Sequence, residues 1–127
     1  MKNSKLIIKT KSKIYPIYFG NKILINTGKL IKKNIPGVKK ICIIYDKNLP
    51  KFFVKNLINS LKNYDLKIHK IKTSEKNKNL NVASKIIEQL LKDNFNRSDC
   101  VISLGGGVVG DLSAFISSVT KRGLKFV

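Results

Sequence analysis

The run Cys100-Val-Ile-Ser-Leu-Gly-Gly-Gly-Val-Val-Gly-Asp111 constrains this chain more than any other stretch, because an apolar strand ends in glycines and an apolar helix follows at once. Such a strand-to-helix turn belongs in a layered α/β sheet. Three consecutive glycines let backbone N–H groups approach a pyrophosphate with no Cβ in the way, and a helix expected to begin near Leu112 adds the positive end of its dipole. Asp111 then stands at the helix mouth. Gly105, Gly107 and Gly110 satisfy the G-x-G-x-x-G spacing, a weak pattern alone that gains from the strand before it and the helix after it. The run reads as a phosphate or dinucleotide cradle. Two features depart from the ordinary dinucleotide fingerprint: strand-like segments precede it, and no Asp or Glu follows Asp111 through Val127. The bland alternative is a set of glycines that ends a strand and lets a helix pack close.

The rest of the chain supplies the layers. Leu6 to Lys9 and Ile14 to Phe19 alternate as two short strands joined by Thr10 to Lys13, with Pro16 favouring an edge. Ile23 to Lys33 is expected as a helix with Ile23, Leu30 and Ile31 inward, stopped by Asn34-Ile-Pro-Gly37. Lys40 to Tyr45 reads as an apolar strand. Asn48 is expected to cap a helix running to Lys62, with Pro50 in its first turn and Phe53, Val54, Leu57, Ile58 and Leu61 in the core. Leu66, Ile68 and Lys70 mark another strand, and Leu80 to Lys92 a helix burying Val82, Ala83, Ile86, Ile87, Leu90 and Leu91. Strand Cys100 to Leu104 and helix Leu112 to Val119 complete the pattern. Alternating strands and helices imply right-handed crossovers and a mainly parallel, Rossmann-like sheet with an N-terminal hairpin. Ligands on such sheets gather at the carboxyl ends of strands, where Asp46, the segment Thr73 to Lys78 and Gly105 to Gly107 all fall.

The chain of 127 residues suits a single small domain over 1–127. Leu124 to Val127 resembles a strand cut short, so the sheet is expected to be incomplete at the C-terminus and the chain a piece of a longer protein. A formal charge of +19 invites a nucleic-acid reading. The distribution opposes it: all but Arg97 and Arg122 of the 26 basic residues are lysines, spread over nearly every segment, so no specific nucleic-acid partner is expected. Cys42 and Cys100 lie in apolar strands without metal-ligand spacing and read as reduced, buried thiols. Lone His69 lacks the partners of a metal site. No apolar stretch is long enough for a membrane span or secretory signal, which points to a cytoplasmic protein without a membrane partner.

Several separated motifs together resemble one family, 3-dehydroquinate synthase, within the sugar phosphate cyclases. These are Tyr15-Pro-Ile17 with Gly20, Asp46-Lys-Asn48, Glu75-Lys-Asn-Lys78, Arg97-Ser-Asp99, Leu104-Gly-Gly-Gly-Val-Val-Gly-Asp-Leu112, Phe115 and Arg122-Gly123, in the family's order and approximate spacing. Thr73-Ser74 replaces the usual Pro-Gly, and Ala114 replaces a common glycine. The resemblance implies an NAD site in which Asp46 and Asn48 contact the adenosine side. Glu75 and Lys78 form another part of it, and Gly105, Gly106, Gly107, Val108, Gly110 and Asp111 approach the pyrophosphate and neighbouring ribose. It also implies that Arg122 contacts the substrate phosphate across a homodimer interface. The implied activity is a carbon-oxygen lyase step of the shikimate pathway, leading to chorismate and the aromatic amino acids. In it the sugar phosphate 3-deoxy-D-arabino-heptulosonate 7-phosphate becomes 3-dehydroquinate and phosphate, with catalytic NAD and a divalent metal, zinc or cobalt. The metal ligands and a helical metal-binding domain are expected beyond Val127, so no catalytic or metal residue is assigned in these residues and the chain alone is expected to be inactive. Two alternatives stay open: another sugar phosphate cyclase or polyol-phosphate dehydrogenase, and a non-catalytic basic module binding NAD or nucleic acid.

Overall fold

A computed structural model describes residues 2–72 and 80–127. Strands β1 (Ser4–Lys9) and β2 (Ile14–Phe19) pair antiparallel as a separate two-stranded hairpin. Its turn is closed at both ends of one four-residue segment: Thr10 N–H donates to Lys13 O at 2.8 Å, and Lys13 N–H to Thr10 Oγ1 at 3.0 Å. Helix α1 (Ile23–Asn34) follows and stops where Pro36 and Gly37 forbid continuation. Ile31 is buried as expected and Ile23 and Leu30 are half-buried, while Thr27 is buried too. Thr27 satisfies its hydroxyl by donating to Ile23 O at 3.2 Å, which is how a polar residue enters the apolar face.

The remaining strands form one parallel sheet in the order β4-β3-β5-β6, with β3 at Lys40–Asp46, β4 at Asp65–Ile71, β5 at Cys100–Leu104 and β6 at Lys125–Phe126. Helices α2 (Lys51–Ser60), α3 (Leu80–Lys92) and α4 (Gly107–Val119) connect them. Because successive strand side chains point to opposite faces, β3 and β5 feed two cores. Ile41, Ile43, Cys100 and Ile102 pack with Ile31 of α1 and Leu57 and Leu61 of or beside α2. Cys42, Ile44 and Val101 pack with Ala83, Ile86 and Leu90 of α3 and Val109, Leu112 and Ile116 of α4. Helices α1 and α2 therefore cover one face, α3 and α4 the other. The expected parallel α/β sheet with an N-terminal hairpin is present.

Three local expectations are corrected. Asn48 does not cap α2, which starts at Lys51 after Pro50 with no side-chain cap; the Asn48 N–H is instead bonded to Asp46 Oδ1 at 2.8 Å. Phe53 is not core: Phe52 and Phe53 are 56% and 37% exposed and lie against each other, ring centroids 4.0 Å apart. Phe53 sits about 100° around the helix from Val54, at the rim of the stripe formed by Val54, Leu57 and Leu61, and Phe52 lies beyond it. Leu91 is exposed too, off the face defined by Ala83, Ile86 and Leu90.

One buried carboxylate ties the start of β3 to the approach to β5. Asp99, fully buried, accepts Lys40 N–H on Oδ1 and Asn96 N–H on Oδ2, both at 2.9 Å. Lys40 Nζ in turn reaches the carbonyls of Asp93 and Asn94 just past α3, whose end is closed by Asn94 in the left-handed region and Phe95 N–H donating to Leu90 O. Asp99→Asn keeps the shape and turns one acceptor into a donor facing an N–H. It should cost about 2–4 kcal/mol in urea unfolding, and a loss under 1 kcal/mol would refute this account.

Candidate functional site

At the carboxyl edge of the sheet, adjacent strands β3 and β5 send their chains to opposite faces, β3 into α2 and β5 into α4. The chain also reverses direction here, stepping from β3 outward to β4 and then back across β3 to β5. In parallel α/β sheets, connections that diverge in this way leave a crevice between the two strand ends, and ligands bind there. Asp46 forms one lip and Gly105 the other.

Asp46 ends β3 half-buried. Its carboxylate accepts the Asn48 N–H, and its carbonyl accepts the Leu49 N–H at 3.1 Å, while Lys47 N–H is tied to Ile71 O at 2.8 Å. This Asx-type turn fixes the carboxylate at the strand end. Asn48 lies exposed on the same turn.

The glycines divide into two roles. Gly105 has φ +154°, and a Cβ there would meet Val109 Cγ2 at 3.0 Å and Asp46 Cβ at 3.3 Å. It is glycine because the helix start and the β3 end close upon it. Gly106, Gly107 and Gly110 have nothing within 4 Å of where a Cβ would stand, so their backbone borders open space. Open space against glycine backbone is what close approach by a phosphate-bearing group requires.

Helix α4 begins at Gly107, with extended Gly106 before it, rather than near Leu112. Gly110 N–H already donates to Gly106 O at 3.0 Å. Glycine's poor helix propensity is overridden here by tertiary packing, since Val109 in the first turn is fully buried. Gly107, Val108 and Val109 thus carry the N–H groups without intrahelical acceptors, and the dipole's positive end sits at the glycines themselves. Asp111 lies exposed on the second turn, past the helix mouth where the sequence placed it.

The structure does not bring every expected residue together. Glu75 and Lys78 fall outside the described residues. Arg122 follows the C-terminal end of α4, in a 3-10 turn at Thr120–Arg122 that leads into β6. Thirteen helical residues, about 20 Å, separate it from the glycine loop, at the opposite edge of the sheet. The sequence reasoning missed the packing role of Val109 and the Asx-type role of Asp46. A strand-terminal Asp two residues before Asn was the available signal for the second. Among the described residues, no three His, Cys, Asp or Glu side chains cluster as a metal would require. No helix among them is long and apolar enough to cross a membrane.

The comparisons with known proteins bear on the family and on the fold. The family described as "3-dehydroquinate synthase N-terminal" matches residues 68–127. A 3-dehydroquinate synthase of Pelagibacter ubique (strain HTCC1062) is 46% identical over 123 residues, covering 97% of this chain and 33% of the relative. The chain belongs with the N-terminal part of the 3-dehydroquinate synthase family. Another member, from Clostridium kluyveri, is 38% identical over 122 residues, 94% of this chain and 34% of the relative. The chain thus spans about a third of the length of the curated relatives it matches. In fold it is similar to a crystal structure of 2-deoxy-scyllo-inosose synthase, with a TM-score of 0.86 at 18% identity, covering 97% of this chain and 35% of that one. A second structure of that synthase, titled as a complex with carbaglucose-6-phosphate, NAD+ and Co2+, gives 0.84 at 19%, covering 97% and 34%.

The two thiols of this synthase-family chain are structural. Cys42 and Cys100 sit on adjacent strands but in different cores, on opposite faces of the sheet. Burial pushes each from 9.0 up to about 12, with neighbouring Cys100 and Asp93 adding to Cys42 and Asp99 adding to Cys100. A raised folded-state value means that the neutral thiol is favoured on folding. This stability is fully present below the unfolded value and is lost as pH climbs from 9.0 towards about 12. A thiol reagent at pH 8 should leave both cysteines unmodified until denaturant is added. Rapid labelling of the folded chain would contradict the burial.

Proposed function

We propose that this chain supplies the NAD cradle of a 3-dehydroquinate synthase, which converts 3-deoxy-D-arabino-heptulosonate 7-phosphate into 3-dehydroquinate and phosphate in the shikimate pathway. The observation that carries the reading is the meeting of Asp46 with Gly105 across the β3–β5 crevice, beside open space at Gly106, Gly107 and Gly110. Family membership supports the choice of reaction.

Each residue present has work suited to its chemistry. The unpaired N–H groups at the start of α4 bind the pyrophosphate, and Gly106 and Gly107 let it approach to backbone distance. Asp46 accepts hydrogen bonds from the adenosine ribose hydroxyls, with Asn48 beside it. Val108, Gly110 and Asp111 border the neighbouring ribose, and Glu75 and Lys78 complete the nucleotide contacts. Bound NAD supplies reversible hydride removal, which acidifies the C–H next to the new ketone so that phosphate can leave. A divalent metal, zinc or cobalt, is held by side chains in the other two thirds of the relatives' length. Residues 1–127 act as one NAD-binding domain, in the cytoplasm and without a membrane or specific nucleic-acid partner.

Arg122 serves a second chain. Its guanidinium offers a fork matched to phosphate oxygens. At the far end of α4 it is too distant to share a small sugar phosphate with its own glycine loop. In a two-fold homodimer each site takes its cradle from one subunit and this arginine from the other.

The test is a chimaera in which residues 1–127 replace the matching third of the Pelagibacter relative. Release of phosphate from the heptulosonate phosphate, dependent on NAD and divalent metal, is expected. Turnover of only a different sugar phosphate would reject the substrate, and turnover without NAD would reject the mechanism. In this chimaera Gly106→Val should weaken NAD binding by about tenfold or more, some 1.4 kcal/mol, with Tm nearly unchanged, because the new side chain meets ligand rather than protein. Gly105→Ala should act on the fold, costing about 1–3 kcal/mol through strain and its contacts with Val109 and Asp46. Unchanged NAD affinity in the Gly106→Val protein would reject the cradle.

A further inference from the structure

The turn that carries Arg122 is built under constraint. Lys121 at φ 49°, Arg122 at φ 63° and Gly123 at φ 114° place three consecutive residues at positive φ. Glycine adopts this region freely, but two adjacent non-glycine residues do so only where their surroundings impose it.

Two buried hydroxyls flank it, Ser117 on the last turn of α4 and Thr120 directly after that helix. Ser117, 3% exposed, donates from Oγ to Leu124 O at 3.1 Å, and its own carbonyl accepts Leu124 N–H at 2.8 Å. This reciprocal pair pins residue 124 to residue 117 and closes the six residues between them into a loop. Thr120, 1% exposed, donates from Oγ1 to Ile116 O at 2.7 Å and accepts Gly123 N–H on its carbonyl at 2.9 Å. Beyond the turn, Lys125 N–H is held by Asp99 O at 3.0 Å, so both ends of the segment are fixed. Between them Arg122 stays exposed. A solvated loop would relax out of the left-handed region. Here two buried hydroxyls are spent on keeping it there.

We propose that Ser117 and Thr120 are positioning residues, whose hydroxyls bracket this turn so that Arg122 is presented in one fixed geometry to a sugar phosphate bound by a second subunit. The inference rests on the proposed function for its ligand and on the hydrogen bonds for its mechanism. Fixing the arginine before binding removes the ordering cost that a flexible loop would incur on meeting the phosphate.

Two measurements separate the bracket from the ligand. Trypsin cuts after Lys121 and Arg122, and the other lysines of the same chain are internal controls. In the 127-residue chain, Ser117→Ala and Thr120→Val should raise cleavage at these two bonds about tenfold relative to the controls, whereas Thr120→Ser should retain the unmodified rate. In the chimaera, Ser117→Ala and Thr120→Val should raise KM for the sugar phosphate about tenfold with kcat within about twofold and NAD affinity unchanged, and Thr120→Ser should restore KM. Unchanged cleavage overturns the bracket. Faster cleavage with unchanged KM makes the hydroxyls merely structural and overturns the positioning role. An unmodified chimaera without turnover rejects the enzyme reading and the ligand side of this inference together, while the cleavage rates still decide whether the bracket exists.

Discussion

The parallel pairing of β3 with β5, with helices leaving these two strands towards opposite faces, is the constraint on which the site depends. Ile41 to Ile44 and Cys100 to Ile102 are buried on both sides, so neither strand can shift without emptying two cores. Each fully buried Ile, Leu or Val contributes about 1.5–3 kcal/mol, and one register step would exchange the faces of all of them. The carboxyl ends are therefore fixed relative to each other before any ligand arrives. Since α2 and α4 diverge from them, the space between is left open by topology alone.

Gly105 shows how closely this arrangement is drawn. Its missing Cβ is the room into which Val109 and Asp46 close, and Val109, fully buried one helical turn onward, pulls the start of α4 against the sheet. The next two glycines border open space instead. One run of three glycines thus serves packing at its first member and leaves open space at its second and third, where we propose that the ligand approaches. A single substitution experiment on "the glycine loop" would mix two kinds of effect, which is why positions 105 and 106 have opposite expectations for stability and affinity.

Much of this was legible in the sequence where burial is decided by period. The strand at Cys100–Leu104, the helix at Leu80–Lys92 and the hairpin partner at Ile14–Phe19 follow directly from spacing of apolar residues. The errors fall where local propensity competes with tertiary contacts. Glycines read as loop, yet Gly107 and Gly110 are helical because Val109 anchors that turn. Asn48 reads as a cap, yet its N–H is engaged by Asp46 and the helix waits for Pro50. Phe53 reads as core, yet Val54 and Leu57 take the inner face. The site was legible as far as Asp46 and the glycines, both placed by strand ends. The distance of Arg122 from them was implied only by the family resemblance, because motif spacing gives distance along a chain and says nothing of which end of a helix lies at which edge of a sheet.

The charge of the chain and the charge of the site have different physical origins. Lysines are spread over nearly every element, so their attraction for anions is diffuse and screened within about 8 Å at physiological ionic strength. The positive character at the crevice comes instead from backbone N–H groups at the start of α4, whose first turn contains neither a lysine nor an acidic residue. These donors act at hydrogen-bond distance and in fixed directions, where mobile salt cannot intervene. A phosphate held there, as we propose, would be recognised by geometry. On the proposed reading, salt would weaken the general attraction of the chain for polyanions much more than it weakens the cradle, since the donors at the start of α4 are backbone N–H groups rather than lysine side chains.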